Sequence, residues 1–201
     1  MQMNDIWSLF FILYCVLAIG SFLPVFCAII KRVKLNPGGK SFEESLHFSE
    51  NEKFMLSQHY SRIHGTLIFW KNESEKYRRF HIYTLFWTIP SSVLIPLITQ
   101  FIEPNNFSKE FLTLISTFTA ILLAFHRGLK IEDNYKSFRH GESEFYDTYR
   151  RLLDRPESFG KDSTEQISNY YQEVEQIRRF VRKAETDNLA TADDKISKKN
   201  I

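Results

Sequence analysis

Three stretches of this chain contain no charged residue, and each is long enough to be considered as a membrane span. Residues 6–30, 82–102 and 111–126 contain no Asp, Glu, Lys or Arg. A helix that crosses the ~30 Å hydrocarbon core of a bilayer needs roughly 20 mainly apolar residues, and the third stretch is at the short end of that range. The sequence therefore predicts an all-α integral membrane protein with three transmembrane helices.

The basic residues near the ends of these stretches predict the orientation of the chain. They lie almost entirely on one side of the predicted spans, where loops facing the cytoplasm collect Lys and Arg: Lys31, Arg32, Lys34, Arg78, Arg79, Arg127 and Lys130, against Lys109 alone on the other side. The pattern predicts an N-terminus outside the membrane and a C-terminus in the cytoplasm. The first stretch is too long for a cleavable signal and is interpreted as an uncleaved anchor.

Spans two and three are each flanked on the cytoplasmic side by apolar residues at alternating steps of four and three, as in a helical seam. One seam leads into span two and contains Leu56, Tyr60, Ile63, Leu67, Trp70, Ser74, Tyr77 and His81. The other leads away from span three and contains Ile131, Tyr135, Phe138, Glu142, Phe145, Tyr149 and Leu152. Together they predict that spans two and three continue into the cytoplasm as an antiparallel helical hairpin.

Helix signals divide the rest of the chain. Ser49–Glu52 and Ser163–Gln166 both have the pattern of a capping box, and the second opens an amphipathic helix. The predicted organisation is an anchor (1–34), a cytoplasmic linker (35–54), a two-span hairpin with its cytoplasmic extension (55–160), a C-terminal amphipathic helix (161–185) and a disordered tail (186–201). Arg155-Pro156 ends the second seam. Turns are predicted at 36–39 and at 103–110.

No motif of enzyme chemistry is present in the sequence. The chain has no Gly-rich phosphate loop, no Gly-x-Ser-x-Gly and no His-Glu-x-x-His, and its six histidines are scattered. We therefore expect no catalytic residues, no metal site and no cofactor. No ionisable Asp, Glu, Lys or Arg lies inside a span, which disfavours a proton-coupled transporter, whereas a passive pore can be lined by hydroxyls and backbone.

Small and hydroxyl-bearing residues in spans two and three are candidates for a pore lining. Four of them fall on one face of span three, and two more lie in span two: Thr113, Thr117, Ala120, Ala124, Ser91 and Ser92. Close packing between helices is an equally good interpretation of the same residues.

Two polar features outside the spans have alternative interpretations. Glu142 occupies a seam position, with Arg139 three residues before it. It is either solvated or a buried carboxylate that pairs with a base and fixes the register of the helices. A basic group of Arg78, Arg79, Arg127 and Lys130 could contact phosphates, although setting the topology and touching anionic lipid is the favoured role.

Three stretches, 68–71 (IFWK), 94–98 (LIPLI) and 133–146 (DNYKSFRHGESEFY), resemble the bacterial SLATT family of SMODS- and SLOG-associating two-transmembrane effectors. The resemblance covers about residues 55–160, and the N-terminal anchor is an addition to the family's two spans. It implies an inner-membrane effector of antiphage defence that forms a homo-oligomeric pore. It also implies a nucleotide or oligonucleotide ligand, made by a partner nucleotidyltransferase, that controls the pore and leads to growth arrest or abortive infection.

Two functional hypotheses remain at this stage. The first is a homo-oligomeric, ion-conducting pore in the lipid bilayer. The second is a non-conducting membrane anchor or scaffold that recruits a cytoplasmic partner through residues 41–80 and 127–185. The first predicts ion flux from liposomes, and the second predicts a stable complex without conductance.

Overall fold

The computed structural model describes residues 3–35, 41–102 and 107–188. These residues form five α-helices and no strand: α1 (Met3–Ile30), α2 (Glu50–Thr99), α3 (Ser108–Gly128), α4 (Ile131–Asp154) and α5 (Ser163–Asn188), with short 3-10 turns at Phe42–Glu44 and Pro156–Ser158. Three of the helices, α1, α2 and α3, contain segments long and apolar enough to cross a membrane. The all-α prediction with three candidate spans is confirmed. The predicted turn at 36–39 and most of the predicted tail lie outside the described residues, as does 103–106 of the second turn.

The described residues form two compact units. The first, here the span unit, contains the residues up to Lys31 together with Lys76–Glu132. The second, here the bundle unit, contains Arg32–Glu75 and the residues from Asp133 onward.

The start of α2 follows the predicted capping box. Ser49 precedes the helix, and its backbone N–H donates to Oε2 of Glu52 over 2.8 Å. The Ser49 hydroxyl donates to the same oxygen over 2.7 Å. The helix then runs for 50 residues with Pro90 and Pro96 inside it. The prediction of one helix that continues from the first seam into span two is confirmed.

Span three does not continue into α4 as one helix. The helix α3 ends at Gly128, and Lys130 has φ 44°, which is left-handed backbone. The Lys130 N–H donates to the Arg127 carbonyl over 3.1 Å, as in a helix-ending turn. Such a position favours glycine, but a lysine occupies it. The signal that the sequence offered for the break was Gly128, preceded by His126 and Arg127 in the last turn of α3.

Two predictions at the C-terminal helix are corrected by one to three residues. The cap is Asp162, not Ser163: its Oδ1 accepts from the Glu165 backbone N–H over 2.9 Å, and α5 begins at Ser163. Aspartate and serine are equally good caps, so the pattern alone did not choose between them. The helix also extends to Asn188, beyond the predicted end at residue 185.

The parts of the two predicted seams that lie in the bundle unit are mostly buried. From α2 they contribute Leu56, Ile63, Leu67 and Trp70, and from α4 Phe138, Phe145, Tyr149 and Leu152. The apolar stripe of α5 joins them through Ile167, Tyr170, Val174 and Val181. The segment predicted as a linker also enters this core, because Phe42 is 2% exposed and its ring contacts those of Tyr149 and Tyr170.

In the span unit, α1 packs against α2 and α3 through aromatic and small side chains. One cluster joins Ala18 and Val25 of α1 to Trp87 of α2 and Leu122 of α3. A second cluster joins Ile98 of α2 to α3 residues. Two hydrogen bonds tie α1 to α2: the Tyr83 hydroxyl donates to the Ala18 carbonyl over 3.0 Å, and Trp87 Nε1 donates to Ser21 Oγ over 3.0 Å. The N-terminal helix is therefore an integral part of this unit.

Candidate functional site

The helix α3 has two faces of different composition. Phe111, Ile115 and Leu122 are buried against α1 and α2. The four candidates for a pore lining, Thr113, Thr117, Ala120 and Ala124, are all exposed in the single chain; we call them the α3 stripe. Packing within one chain therefore does not account for them, and close packing between helices of different copies stays the alternative interpretation.

The hydroxyl of Thr113 is satisfied by its own helix. It donates to the Lys109 carbonyl over 2.8 Å. A threonine that bonds backward in this way places its methyl group and an acceptor oxygen on the helix surface. The α3 stripe therefore suits either water or a second helix, and it differs from the exposed face of α1, which is covered by bulky residues such as Leu9, Ile12 and Val16.

The two serine candidates in α2 lie in different environments. Ser91 is 1% exposed and donates to the Trp87 carbonyl over 2.6 Å, so it belongs to the interior of the span unit. Ser92 is exposed and donates to the Ile89 carbonyl over 2.6 Å. Only Ser92 shares the exposed setting of the α3 stripe.

Glu142 lies at the centre of a polar cluster inside the bundle unit. The residue is 5% exposed. Its Oε1 accepts from Lys71 Nζ of α2 over 2.8 Å, and its Oε2 accepts from an Arg139 guanidinium nitrogen over 2.8 Å. A buried carboxylate is stable when basic groups and hydrogen bonds satisfy both of its oxygens. The pair between Glu142 and Lys71 joins α2 to α4, and a role in fixing their register stays a prediction.

Two polar clefts adjoin this cluster in the bundle unit. A cleft of about 230 Å³ is lined by Lys71, Arg139 and Arg150 together with Glu142 and Asp147. A larger one of about 640 Å³ lies between α4 and α5 and shares Asp147 and Arg150 with the first. Because basic and acidic side chains alternate along both, neither cleft has a strong excess of one charge.

The four basic candidates are exposed residues of the span unit, and they divide into two pairs. Arg78 and Arg79 line a groove of about 330 Å³ between α1 and α2. Arg127 and Lys130 are not among the described residues that line this groove. The sequence grouped the four as one cluster at the membrane surface, and of these four only Arg78 and Arg79 line the groove.

A pair of histidines was missed by the sequence. His81 of α2 and His126 of α3 face each other, with 2.7 Å between Nδ1 of the first and Nε2 of the second. At this distance the N–H of one ring donates a hydrogen bond to the unprotonated ring nitrogen of the other. The two residues are 45 positions apart in the chain, and the only signal for their meeting was that each lies at the cytoplasmic end of a predicted span.

His59 is held neutral in the bundle unit. Its ring packs against the rings of Tyr170 and Tyr171. Burial, together with the charges of Arg62 and Arg178, lowers the pKa of His59 to about 4. It is a packed side chain of the bundle unit.

Large apolar side chains are also exposed near the start of α2. Leu46 is 94% exposed, Phe54 64% and Met55 51%. Single exposed apolar residues are common on protein surfaces, but three within ten positions outside the candidate spans are a candidate contact surface.

Among the described residues, no group of three or more His, Cys, Asp or Glu side chains is placed to hold a metal ion. Comparisons of the chain with protein-family models, curated proteins and solved structures found no match.

Proposed function

We propose that this protein is a membrane effector of bacterial antiphage defence that assembles from several copies into an ion-conducting pore controlled by a nucleotide signal. The observation that supports assembly is the exposed α3 stripe. In a bilayer that face meets lipid or another protein helix, and small residues favour the close approach of helices. Bulky apolar residues cover the exposed face of α1 instead, as suits contact with lipid.

Several copies are required because three helices packed on one another enclose no channel. The interior of the span unit is filled by aromatic side chains such as Tyr83 and Trp87. A ring of copies that brings Thr113 and Thr117 of each to a common axis would present hydroxyl and backbone oxygens to passing ions. Ser92 is exposed on the neighbouring helix and is the second candidate for this lining.

Control by a nucleotide rests on the resemblance of residues 55–160 to the SLATT family. The polar clefts beside Glu142 are the candidate regulatory region, because Lys71, Arg139 and Arg150 offer donors to phosphate oxygens there. Conduction would depolarise the inner membrane and stop growth of the infected cell.

Ion flux from liposomes that contain the purified protein tests the conduction. Vesicles loaded with potassium are assayed with a potential-sensitive dye, alone and with ATP or cyclic dinucleotides as probes. We expect potassium release in at least one of these conditions. The double substitution Thr113→Leu with Thr117→Leu should abolish it, because two bulky apolar side chains replace the hydroxyl surface.

Thr99→Leu is the matched control for this experiment. Thr99 is also an exposed threonine of a candidate span, and its hydroxyl donates to the Pro96 carbonyl over 2.6 Å, but it is not part of the α3 stripe. The control should conduct as the unmodified protein does. Equal loss in both variants, or gradients that stay intact with every probe, would refute the proposal.

A non-conducting scaffold is the second candidate function. The exposed Leu46, Phe54 and Met55 favour it, since they offer a partner apolar contacts in the bundle unit. Replacing the three with serine should then abolish partner binding, while the α3 stripe double variant keeps full activity in cells.

A further inference from the structure

The groove between α1 and α2 in the span unit combines apolar walls with two arginines. Its volume is about 330 Å³. Pro24, Val25, Ile82 and Phe86 supply apolar surface, and Arg78 and Arg79 line the same groove one turn before Ile82. By the distribution of basic residues, this turn lies toward the cytoplasmic face of the membrane.

The walls of the groove are fixed in the single chain. Tyr83, which is 7% exposed, holds α1 to α2 through its hydrogen bond to the Ala18 carbonyl. One turn further along, Trp87 bonds to Ser21. Pro24 contributes no backbone N–H and so leaves a carbonyl of the preceding turn without its helical partner. The groove is therefore preformed and needs no rearrangement of the two helices to exist.

We propose that this groove is a specific site for an anionic phospholipid. The guanidinium groups of Arg78 and Arg79 bind the phosphate, for which the planar fork of arginine is well suited. An acyl chain lies along Ile82 and Phe86, which are 50% and 63% exposed. Basic pockets between transmembrane helices on the cytoplasmic side have the chemistry that anionic head groups require.

A lipid is a better occupant than a free phosphate because the groove is mainly apolar beyond the two arginines. A free phosphate would leave the surface of Ile82 and Phe86 uncovered, whereas a diacyl lipid covers it. The bound lipid would touch α1 and α2 at once, and so would stabilise the position of the N-terminal helix. This inference is independent of whether the protein conducts ions.

Binding to lipid in micelles of a neutral detergent tests the site, with native mass spectrometry of the full-length protein as the readout. Dioleoyl phosphatidylglycerol should bind saturably with one tight site per chain, and dioleoyl phosphatidylcholine much more weakly. Arg78→Gln with Arg79→Gln should weaken the tight site by roughly thirtyfold, since each basic residue contributes about a fivefold factor at an anionic surface. Inorganic phosphate should not compete.

Two further variants separate this site from diffuse attraction. Arg127→Gln with Lys130→Gln removes the same charge outside the groove and should change the affinity by less than about threefold, because these residues do not line it. Ile82→Trp keeps both arginines but narrows the groove, and it should weaken the tight site without changing the circular dichroism of the protein.

Three results would overturn the proposal. Equal loss in the two charge variants would mean attraction to the membrane surface in general. Competition by inorganic phosphate at the same affinity would mean a phosphate site. Unchanged lipid affinity of a folded Ile82→Trp variant would show that the lipid does not occupy the groove.

Discussion

The span unit and the bundle unit share the helix α2 and both have mainly apolar interiors with some buried polar groups, but they differ in the surface that they expose. In the bundle unit the interior is apolar, and Glu142 is the one carboxylate buried among its described residues. In the span unit the exposed surface is apolar, and hydroxyl groups of Thr84, Thr88 and Ser91 are buried. The same 50-residue helix therefore exposes apolar side chains in the span unit and buries them in the bundle unit.

The difference follows from the solvent that each part of α2 meets. Where water surrounds the helices, burying apolar area is the main source of stability, so apolar residues mark the inside. The acyl chains of lipids are as apolar as leucine, so the hydrophobic effect does not decide which helix faces are buried in the span unit. Close packing and hydrogen bonds between helices decide it instead. A buried polar group should therefore matter much more in the bundle unit.

The largest expected effect tests the buried charge of the bundle unit. Glu142→Gln removes the carboxylate that pairs with Lys71 and Arg139. We expect the free energy of unfolding to fall by about 2–3 kcal/mol, because the buried amide presents an N–H donor to one of the two basic groups and leaves it without an acceptor, whereas Lys71 and Arg139 are themselves 29% and 54% exposed. Denaturant unfolding of the detergent-solubilised protein, followed by circular dichroism, measures this change.

Glu144→Gln is the control for that substitution. Glu144 lies on the same helix, its side chain is 49% exposed, and its partner His140 is 3.8 Å away. Its replacement should change stability by less than about 0.5 kcal/mol. Similar losses at both positions would mean that Glu142 is effectively solvated.

A smaller effect is expected at the crossing of three helices in the bundle unit. A Cβ atom added to Gly141 of α4 would lie 2.3 Å from Val181 Cγ2 of α5 and 3.4 Å from Trp70 of α2. Gly141→Ala should therefore destabilise the protein by about 1–2 kcal/mol in the same assay, since overpacking outweighs the gain in helix propensity.

Gly65→Ala should change the stability of the protein in the opposite direction. A Cβ at Gly65 of α2 meets no atom within 4 Å, so alanine should stabilise the helix by about 0.5–1 kcal/mol. The cost of Gly141→Ala should be smaller in a Val181→Ala background than in the unmodified protein, because the second substitution removes the clashing methyl group. A stabilising Gly141→Ala would mean that α4 and α5 are farther apart than the structure places them.

The smallest effect tests the span unit. Tyr83→Phe removes the hydroxyl that donates to Ala18, and we expect a loss of only about 0.6 kcal/mol, the average for hydrogen bonds between membrane helices. Ser21 Oγ also lies 3.3 Å from the same carbonyl and can replace the lost donor. Unfolding by SDS in mixed micelles measures this loss in the free energy of unfolding. A loss as large as that of Glu142→Gln would mean that a buried polar group does not matter more in the bundle unit than in the span unit.

The candidate sites could be predicted only where periodicity or composition defined them. The α3 stripe followed from the spacing of Thr113 and Thr117, whereas the seam position of Glu142 allowed either a solvated or a buried carboxylate, and the packing of α2 against α4 decided for burial. The meeting of His81 with His126 could not be predicted, because no local pattern relates two positions on different helices. The groove of Arg78 and Arg79 depended on α1, whose residues are almost uniformly apolar and indicate no preferred face.

The sequence by itself determined the three candidate spans, the seams and the start of α2, because hydrophobic length, helical period and capping are local properties of the chain. Only the tertiary structure decided which face of α3 is covered and that Phe42 of the linker enters the core. The physical reason is that, inside a membrane, apolar side chains are stable on either side of a helix, so the choice of face depends on packing between helices distant in sequence.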